Sequence, residues 1–243
     1  MMKHKCHSLI IGGTGQFGIT LKNQLNKKNK KVIITSRFKR YKIKKKLFEI
    51  IELNIYDKKK IYNVIKKYKP QNIFYFAGQS SPSISFVKKS ETIRSNYLGC
   101  KNVLESIYNI DTNINFFYAA SSEMYGKIRG RISLKKKMHP VNPYGVGKLK
   151  GFNVTKLYRE KYKLNAYNII IFNTESILRD KSFFIPKICM AAINAYKYNL
   201  KTAFGNLNIE REWNWCDDQC ELMIKFLKKK TTRFFNFKWN LFI

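Results

Sequence analysis

Two short stretches of this chain contain residue types that can move protons. Tyr144 and Lys148 are four positions apart, which places both side chains on one face of a helix, about one turn from each other. Because a nearby cation lowers the pKa of a phenol, we expect Lys148 to let Tyr144 exchange protons with a substrate near neutral pH. The second stretch is Ser121-Ser122-Glu123, and we expect the Ser121 hydroxyl to hydrogen-bond the same reacting oxygen. By itself, the tyrosine–lysine spacing is also typical of a solvated helix face in a chain rich in both residues.

The elements that must position these side chains begin near the N-terminus. The apolar run from Ser8 to Ile11 predicts a buried strand, and Ile19, Leu21 and Leu25 recur at helical spacing after it. The glycines between strand and helix permit a tight turn, a close approach of the backbone to a pyrophosphate, and close packing of the helix. The alternative is a purely structural glycine turn. The pattern predicts a dinucleotide-binding loop formed by Gly12, Thr14, Gly15, Gln16 and Gly18.

Residues after the second predicted strand indicate which dinucleotide binds. This strand extends from Lys31 to Ser36 and is followed by Arg37-Phe38-Lys39-Arg40, where an Asp or Glu would bind the ribose 2′-hydroxyl of NAD. The stretch has no acid and several cations, which suit a 2′-phosphate. We therefore expect Arg37 to bind NADP, with the alternative that these residues are ordinary surface cations.

Apolar runs and helical periodicities alternate along the rest of the chain. Further strands are predicted from Phe48 to Leu53, Ile73 to Phe76, Asn115 to Tyr118 and Ala166 to Phe172. Helices are predicted from Lys58 to Tyr68, from Asn96 to Ile107, and from Asn142-Pro143 onward. This alternation predicts an α/β fold, a Rossmann-like doubly wound parallel sheet with its ligands at the carboxyl edge. We expect residues 1–172 to form an NADP-binding domain with the catalytic residues, and residues 173–243 to form a smaller region after it.

The composition narrows the class of protein. The chain has 243 residues, of which 44% are hydrophobic, as in globular proteins. Its net charge of +33 is typical of nucleic-acid binding, but the lysines are spread along the whole chain together with other residue types that have A/T-rich codons. We therefore predict no specific nucleic-acid partner. Five scattered cysteines suit free thiols, and no apolar run is long enough for a signal peptide or a membrane span, so we expect a cytoplasmic protein without a metal site.

With these motifs in this order, the chain resembles the extended short-chain dehydrogenase/reductases, and within them the GDP-mannose 4,6-dehydratases. The family segments in question are S/T-S-E-x-Y-G, F-N-H-E-S, G-N-L/M-x-x-x-R-D-W and A-A-Q-S-H-x-x-x-S-F. Similar stretches here are Ser121-Ser122-Glu123-Met124-Tyr125-Gly126, Phe172-Asn173-Thr174-Glu175-Ser176, Gly205-Asn206-Leu207 with Arg211 and Trp213, and Ala77-Gly78-Gln79-Ser80 with Ser85-Phe86.

The resemblance implies a lyase mechanism in which NADP is held tightly and recycled. Tyr144 takes the proton from the sugar O4 while C4 passes a hydride to NADP⁺. Glu123 then removes the C5 proton and protonates the departing C6 hydroxyl, and the hydride returns to C6. The substrate implied is GDP-mannose, and the chain is expected to be a homo-oligomer.

The resemblance also assigns residues to the two ligands. On the cofactor side it implies Asn54, Ala77, Gly78 and Ser80, with Asn54 standing where the family has an Asp near the adenine. On the substrate side it implies Ser85, Ser122, Asn173, Glu175, Ser176, Lys187 and Arg211. Among these, Arg211 is expected to bind the diphosphate, because a guanidinium fork suits phosphate oxygens.

Three departures from the family pattern shape the remaining expectations. Ile177-Leu178-Arg179-Asp180 replaces P-R-R-G, and Asn214-Trp215 replaces G-H. The chain also ends at Ile243, whereas the family continues. The resemblance therefore implies that residues 173–243 form a small, incomplete substrate-binding region, and we expect a C-terminal truncation that impairs activity, with an out-of-frame tail over residues 231–243. Two alternatives stay open: an NADP-linked nucleotide-sugar epimerase or reductase, and a non-catalytic nucleotide-binding remnant.

Overall fold

A parallel sheet of six strands forms the centre of the molecule, in a computed structural model that describes residues 6–38, 48–128, 130, 132–133, 135–205, 208 and 210–228. Three stretches named above lie outside the described residues: Lys39-Arg40, Asn206-Leu207 and the tail 231–243. The strands are β1 Ser8–Ile11, β2 Val32–Ser36, β3 Phe48–Glu52, β4 Asn72–Tyr75, β5 Asn115–Ser121 and β6 Ala166–Ile171. Their order across the sheet is β3-β2-β1-β4-β5-β6. The predicted doubly wound parallel sheet is confirmed, with strand ends within a few residues of those expected.

Helices cover both faces of this sheet in the described part of the chain. They are α1 Gln16–Lys27, α2 Lys58–Tyr68, α3 Pro82–Val87, α4 Lys89–Ile110, α5 Pro143–Tyr162, α6 Phe184–Tyr198 and α7 Cys216–Lys228, with a 3-10 turn at Ser122–Tyr125. A second, two-stranded parallel sheet pairs β7 Asn173–Glu175 with β8 Trp213–Trp215. None of the helices in these described stretches combines the length and apolar character needed to span a membrane.

The apolar core lies in two layers, one on each face of the six-stranded sheet. On one face, helices α2, α4 and α5 supply buried side chains such as Ile61, Val103 and Val154. On the other face, α1 and α7 supply Leu21 and Met223, among others. Strands buried on both faces have nearly continuous apolar sequences, which is why their positions were recognisable from the chain alone.

The structure differs from the sequence-based prediction where polar residues face inward. Helix α4 begins at Lys89 rather than Asn96. Thr92, Ser95 and Asn96 are buried in it, and the two hydroxyls and the Asn96 amide nitrogen donate hydrogen bonds to backbone carbonyl oxygens. Inward-facing polar residues of this kind interrupt the apolar period of a helix, so the first turns of α4 could not be recognised from the sequence. Helices α3, α6 and α7 and strands β7 and β8 were not predicted at all.

Candidate active site

A cavity of about 930 Å³ opens at the carboxyl edge of the sheet, where ligands of doubly wound folds bind. Its wall brings together the predicted catalytic residues Ser121, Glu123, Tyr144 and Lys148. The predicted cofactor residues on the same wall are Gly12, Thr14, Gly15, Gln16, Gly18, Arg37, Asn54, Ala77, Gly78 and Ser80. Of the predicted substrate residues, Ser122 and Asn173 line the cavity.

The glycine loop between β1 and α1 is shaped so that only glycine fits at its turn. Gly12 has a φ of +84°, and a Cβ there would lie 2.5 Å from the Ala77 backbone nitrogen. At Gly15, by contrast, a Cβ would meet nothing nearer than the Gly12 carbonyl oxygen at 3.7 Å. The backbone of Gly15 is therefore open to the cavity, beside the first N–H groups of α1, as the approach of an anionic ligand requires.

Gln16, predicted to bind the cofactor, uses its side chain to join the glycine loop to the second sheet. Its amide nitrogen donates to the Thr174 carbonyl oxygen at 3.2 Å, and its amide oxygen accepts from the Ser176 hydroxyl at 2.9 Å. Ser176 is buried and does not line the cavity. The predicted substrate residue Ser176 thus contacts the glycine loop in the structure.

Ser121, Tyr144 and Lys148 converge from two elements. Strand β5 ends at Ser121, and α5 presents Tyr144 in its first turn and Lys148 one turn later. The Ser121 hydroxyl hydrogen-bonds the Tyr144 side chain. The Lys148 ammonium is buried, lies 5.7 Å from the centre of the Tyr144 ring, and donates to the Ala119 carbonyl oxygen at 2.6 Å. The helix spacing that the sequence suggested is therefore confirmed.

The predicted pKa of Tyr144 is wrong for this structure. Burial raises the pKa of the Tyr144 phenol to about 12, while the Ser121 hydrogen bond and the Arg179 charge oppose that rise and the Glu123 charge adds to it. Burial also lowers the pKa of Lys148 to about 8. The prediction was wrong because it considered the nearby Lys148 charge but not the burial of the Tyr144 phenol. Burial removes water from the phenol and so disfavours its charged form.

Glu123 lies in the 3-10 turn that follows β5, on the cavity wall. Its backbone N–H donates to the Ser121 hydroxyl at 3.2 Å, and its carboxylate accepts from the Asn142 amide at 2.7 Å. Asn142 also caps α5, because its side-chain oxygen accepts from the Gly145 N–H at 2.7 Å. The sequence had placed the start of this helix at Asn142-Pro143, as an Asn before Pro indicates, but it had not predicted the contact of Asn142 with Glu123.

A second residue that sequence reasoning had not placed in the site is Arg179. Its guanidinium lies 3.6 Å from the centre of the Phe183 ring and 3.7 Å from the Glu175 carboxylate, and it lines the cavity. Burial raises the pKa of Glu175, and the charge of Arg179 opposes that effect. Glu175 itself does not line the cavity, so Arg179 is the member of this pair that lies on the cavity wall.

The remaining predicted substrate residues lie away from the cavity. Ser85 is fully buried, and its hydroxyl donates to the Pro82 carbonyl oxygen at 2.5 Å. Lys187 is exposed on α6, with its ammonium 5.5 Å from the centre of the Phe204 ring. Arg211 is exposed just before β8. The cavity as described therefore does not include these three side chains.

The cofactor side of the cavity contains one acid that the sequence did not predict. The Arg37 guanidinium pairs with the Glu91 carboxylate from α4 at 3.1 Å, and both residues line the cavity. Asn54, on the same wall, accepts the Tyr56 N–H with its side-chain oxygen at 3.0 Å.

The parallel sheet, the glycine loop and the serine–tyrosine–lysine cluster define an extended short-chain dehydrogenase/reductase of the epimerase/dehydratase class. Within this class the chain belongs to the GDP-mannose 4,6 dehydratase family, whose model matches residues 9–240. The resemblance inferred from the motifs is thereby confirmed.

Individual comparisons agree with this assignment. A GDP-mannose 4,6 dehydratase of Drosophila melanogaster is 30% identical over 179 residues, which are 72% of this chain and 45% of the relative. A GDP-mannose 4,6 dehydratase of Dictyostelium discoideum is 28% identical over 250 residues, which cover 95% of this chain and 70% of the relative. The chain spans about half the length of the animal and plant relatives it matches.

Solved structures show the fold. The dTDP-glucose 4,6-dehydratase DesIV of Streptomyces venezuelae, solved with NAD and TYD bound, has a TM-score of 0.81 at 19% identity, covering 92% of this chain and 72% of its own.

Proposed function

We propose that this chain holds an NADP cofactor and dehydrates GDP-mannose to GDP-4-keto-6-deoxymannose. The observation that carries the proposal is the meeting of Ser121, Glu123 and Tyr144 on one cavity wall, since a dehydration needs a carboxylate that a simple oxidation of an alcohol does not. Family membership and the likeness of the motifs support this substrate. In this proposal the residues up to 172 hold the cofactor, and those after it hold the sugar nucleotide.

The cavity suits a dinucleotide on structural grounds. The backbone of Gly15 is open, the N–H groups at the start of α1 face an incoming phosphate, and Arg37 supplies a cation at the end of β2. When bound, the nicotinamide ring takes up a hydride from a carbinol carbon and can return it.

The chain's own groups supply the proton movements. Ser121 orients the reacting sugar hydroxyl through a hydrogen bond, and Tyr144 takes the proton from its oxygen. Because burial raises the pKa of Tyr144 to about 12, this proton transfer depends on the opposing effects of Ser121 and Arg179. Lys148, with a pKa lowered to about 8, is mostly charged at neutral pH and lies close to the tyrosine ring.

Glu123 performs the elimination in this proposal. Once C4 is a ketone, the C5–H bond is acidic, and the Glu123 carboxylate removes that proton. The carboxyl group so formed gives its proton to the C6 oxygen, which departs as water and leaves a C5–C6 double bond. Addition of the hydride taken from C4 to C6, with a proton to C5, would complete the 6-deoxy sugar and leave the cofactor oxidised as at the start. The hydrogen bond from Asn142 fixes one carboxylate oxygen, which leaves the other to act as base and then acid.

Incubation of the purified chain with GDP-mannose and catalytic NADP⁺ tests the proposal. We expect a 4-keto-6-deoxy product, detected by mass spectrometry as the loss of one water, without net reduction of the cofactor. A C4 epimer of unchanged mass would indicate an epimerase. In a parallel incubation with excess NADPH, its stoichiometric oxidation would indicate a reductase. Binding of NADPH with no turnover under any of these conditions would indicate a non-catalytic nucleotide-binding protein.

A further inference from the structure

The end of the cavity formed by β2 and the first turn of α4 contains a cation and an acid in contact. Arg37 follows β2, Glu91 is the acidic residue in the first turn of α4, and their side chains meet at 3.1 Å. Ser36, Asn54 and Tyr56 line the same part of the wall. We call these five residues the ribose end of the cavity, because in this class of fold the end of β2 faces the adenosine ribose.

The two charged residues favour different dinucleotides. An acid near the ribose accepts a hydrogen bond from the 2′-hydroxyl of NAD, whereas an arginine here receives the 2′-phosphate of NADP. Sequence reasoning had found no acid at the end of β2 and had therefore favoured NADP, with ordinary surface cations as the alternative. The fold supplies that acid from α4, 54 residues further along the chain.

Glu91 opposes a 2′-phosphate in two ways. Its carboxylate occupies a guanidinium nitrogen of Arg37 that would otherwise be free for the phosphate. It also places a like charge on the wall that the phosphate must approach, which disfavours one ligand relative to the other. The guanidinium of Arg94 is 5.0 Å from the centre of the Tyr56 ring and adds a second cation near this end.

We infer that Glu91 is a specificity-determining residue that reduces the preference of this site for NADP and lets NAD bind as well. The inference rests on the proposed cofactor site. It predicts that the chain binds NADPH and NADH with affinities within about tenfold of each other, because the favourable charge of Arg37 is offset by Glu91.

Fluorescence titrations of NADPH and NADH test this directly, without any need for turnover. The variants are Glu91→Gln and Arg37→Gln, measured at one low ionic strength because exposed charges are screened by salt. Glu105→Gln is the matched control, because Glu105 is on the same helix and pairs with Lys58 and Lys101 at 3.0 and 3.2 Å, away from the cavity. Thermal unfolding of each variant confirms that it folds.

We expect Glu91→Gln to raise the ratio of NADPH to NADH affinity by about tenfold, Arg37→Gln to lower it by a similar factor, and Glu105→Gln to leave it unchanged. An unchanged ratio in Glu91→Gln, with both cofactors still bound, would overturn the inference and leave the proposed function standing. If the unsubstituted chain binds neither cofactor, both the proposed function and this inference fail.

Discussion

The amide of Asn142 donates to the carboxylate of Glu123 at 2.7 Å while its side-chain oxygen caps α5. One buried side chain therefore fixes two functional groups, because the first turn of α5 contains Tyr144. This contact therefore holds a carboxylate and a phenol that belong to separate elements in fixed relative positions. Positions defined this closely matter for catalysis, since small displacements of a reacting group reduce rates strongly.

Substitution of Asn142 separates its two roles. Asn142→Ser keeps an N-cap oxygen but loses the donor to Glu123, whereas Asn142→Ala loses both. We expect the free energy of unfolding of the serine variant to be close to that of the parent, and that of the alanine variant to be lower by about 1 kcal/mol. Both variants should show a lower kcat for dehydration with little change in KM. A serine variant with full kcat would show that Asn142 acts only as a helix cap.

Glu123→Gln tests the elimination step. The glutamine oxygen can still accept the Asn142 amide, so the 3-10 turn should keep its structure and NADPH should bind as before. Because an amide cannot remove the C5 proton, deuterium exchange from solvent into C5 of GDP-mannose should vanish together with dehydration. Exchange at C5 that persists in the variant would assign the base to another residue.

The buried Lys148 gives a pH dependence with a defined sign. Its pKa is lowered to about 8 from a usual 10.5, so between these values the unfolded chain holds more protons than the folded one. The contribution of Lys148 to the free energy of unfolding therefore rises as the pH increases from 8 towards 10, by up to about 1.4 kcal/mol per pH unit.

The measurement is the difference in unfolding free energy between the parent chain and Lys148→Met, which cancels the contributions of other titrating groups. As the pH rises over this range, the free energy of unfolding of the parent should increase relative to that of Lys148→Met. A difference that does not vary with pH would mean that Lys148 keeps its usual pKa in the fold.

Two glycine substitutions distinguish folding from ligand binding in the loop. Gly15→Ala has room for a methyl group, with the nearest atom at 3.7 Å, so the variant should fold. The added methyl would point into the space that a pyrophosphate needs, and we expect NADPH affinity to fall by at least about tenfold, as for a lost charge-assisted hydrogen bond.

Gly12→Ala, in contrast, puts a Cβ 2.5 Å from a backbone atom at a φ of +84°, and it should destabilise the fold itself. Thermal unfolding and NADPH titration of the two variants provide the comparison. Tight NADPH binding by Gly15→Ala would show that the pyrophosphate does not approach this backbone.

The sequence by itself determined the class of fold and the positions along the chain of the six strands of the main sheet and of helices α1, α2 and α5. Apolar runs such as Ser8–Ile11 and helical periodicities such as that of Lys58–Tyr68 are local patterns, so strands and helices could be recognised without any knowledge of their neighbours. The four-residue spacing of Tyr144 and Lys148 and the glycine loop are local in the same sense. These short-range features were sufficient to indicate the family.

Only the tertiary structure decided which side chains of the site contact each other and how burial shifts their pKa values. Glu91 reaches Arg37 across 54 residues, and Ser176 reaches Gln16 across 160, contacts that no local spacing can indicate. The raised pKa of Tyr144 comes first from burial, which depends on every element packed around the phenol. Local patterns specify backbone conformation, but desolvation and long-range pairing are properties of the assembled fold, and they set the chemistry of the side chains in this cavity.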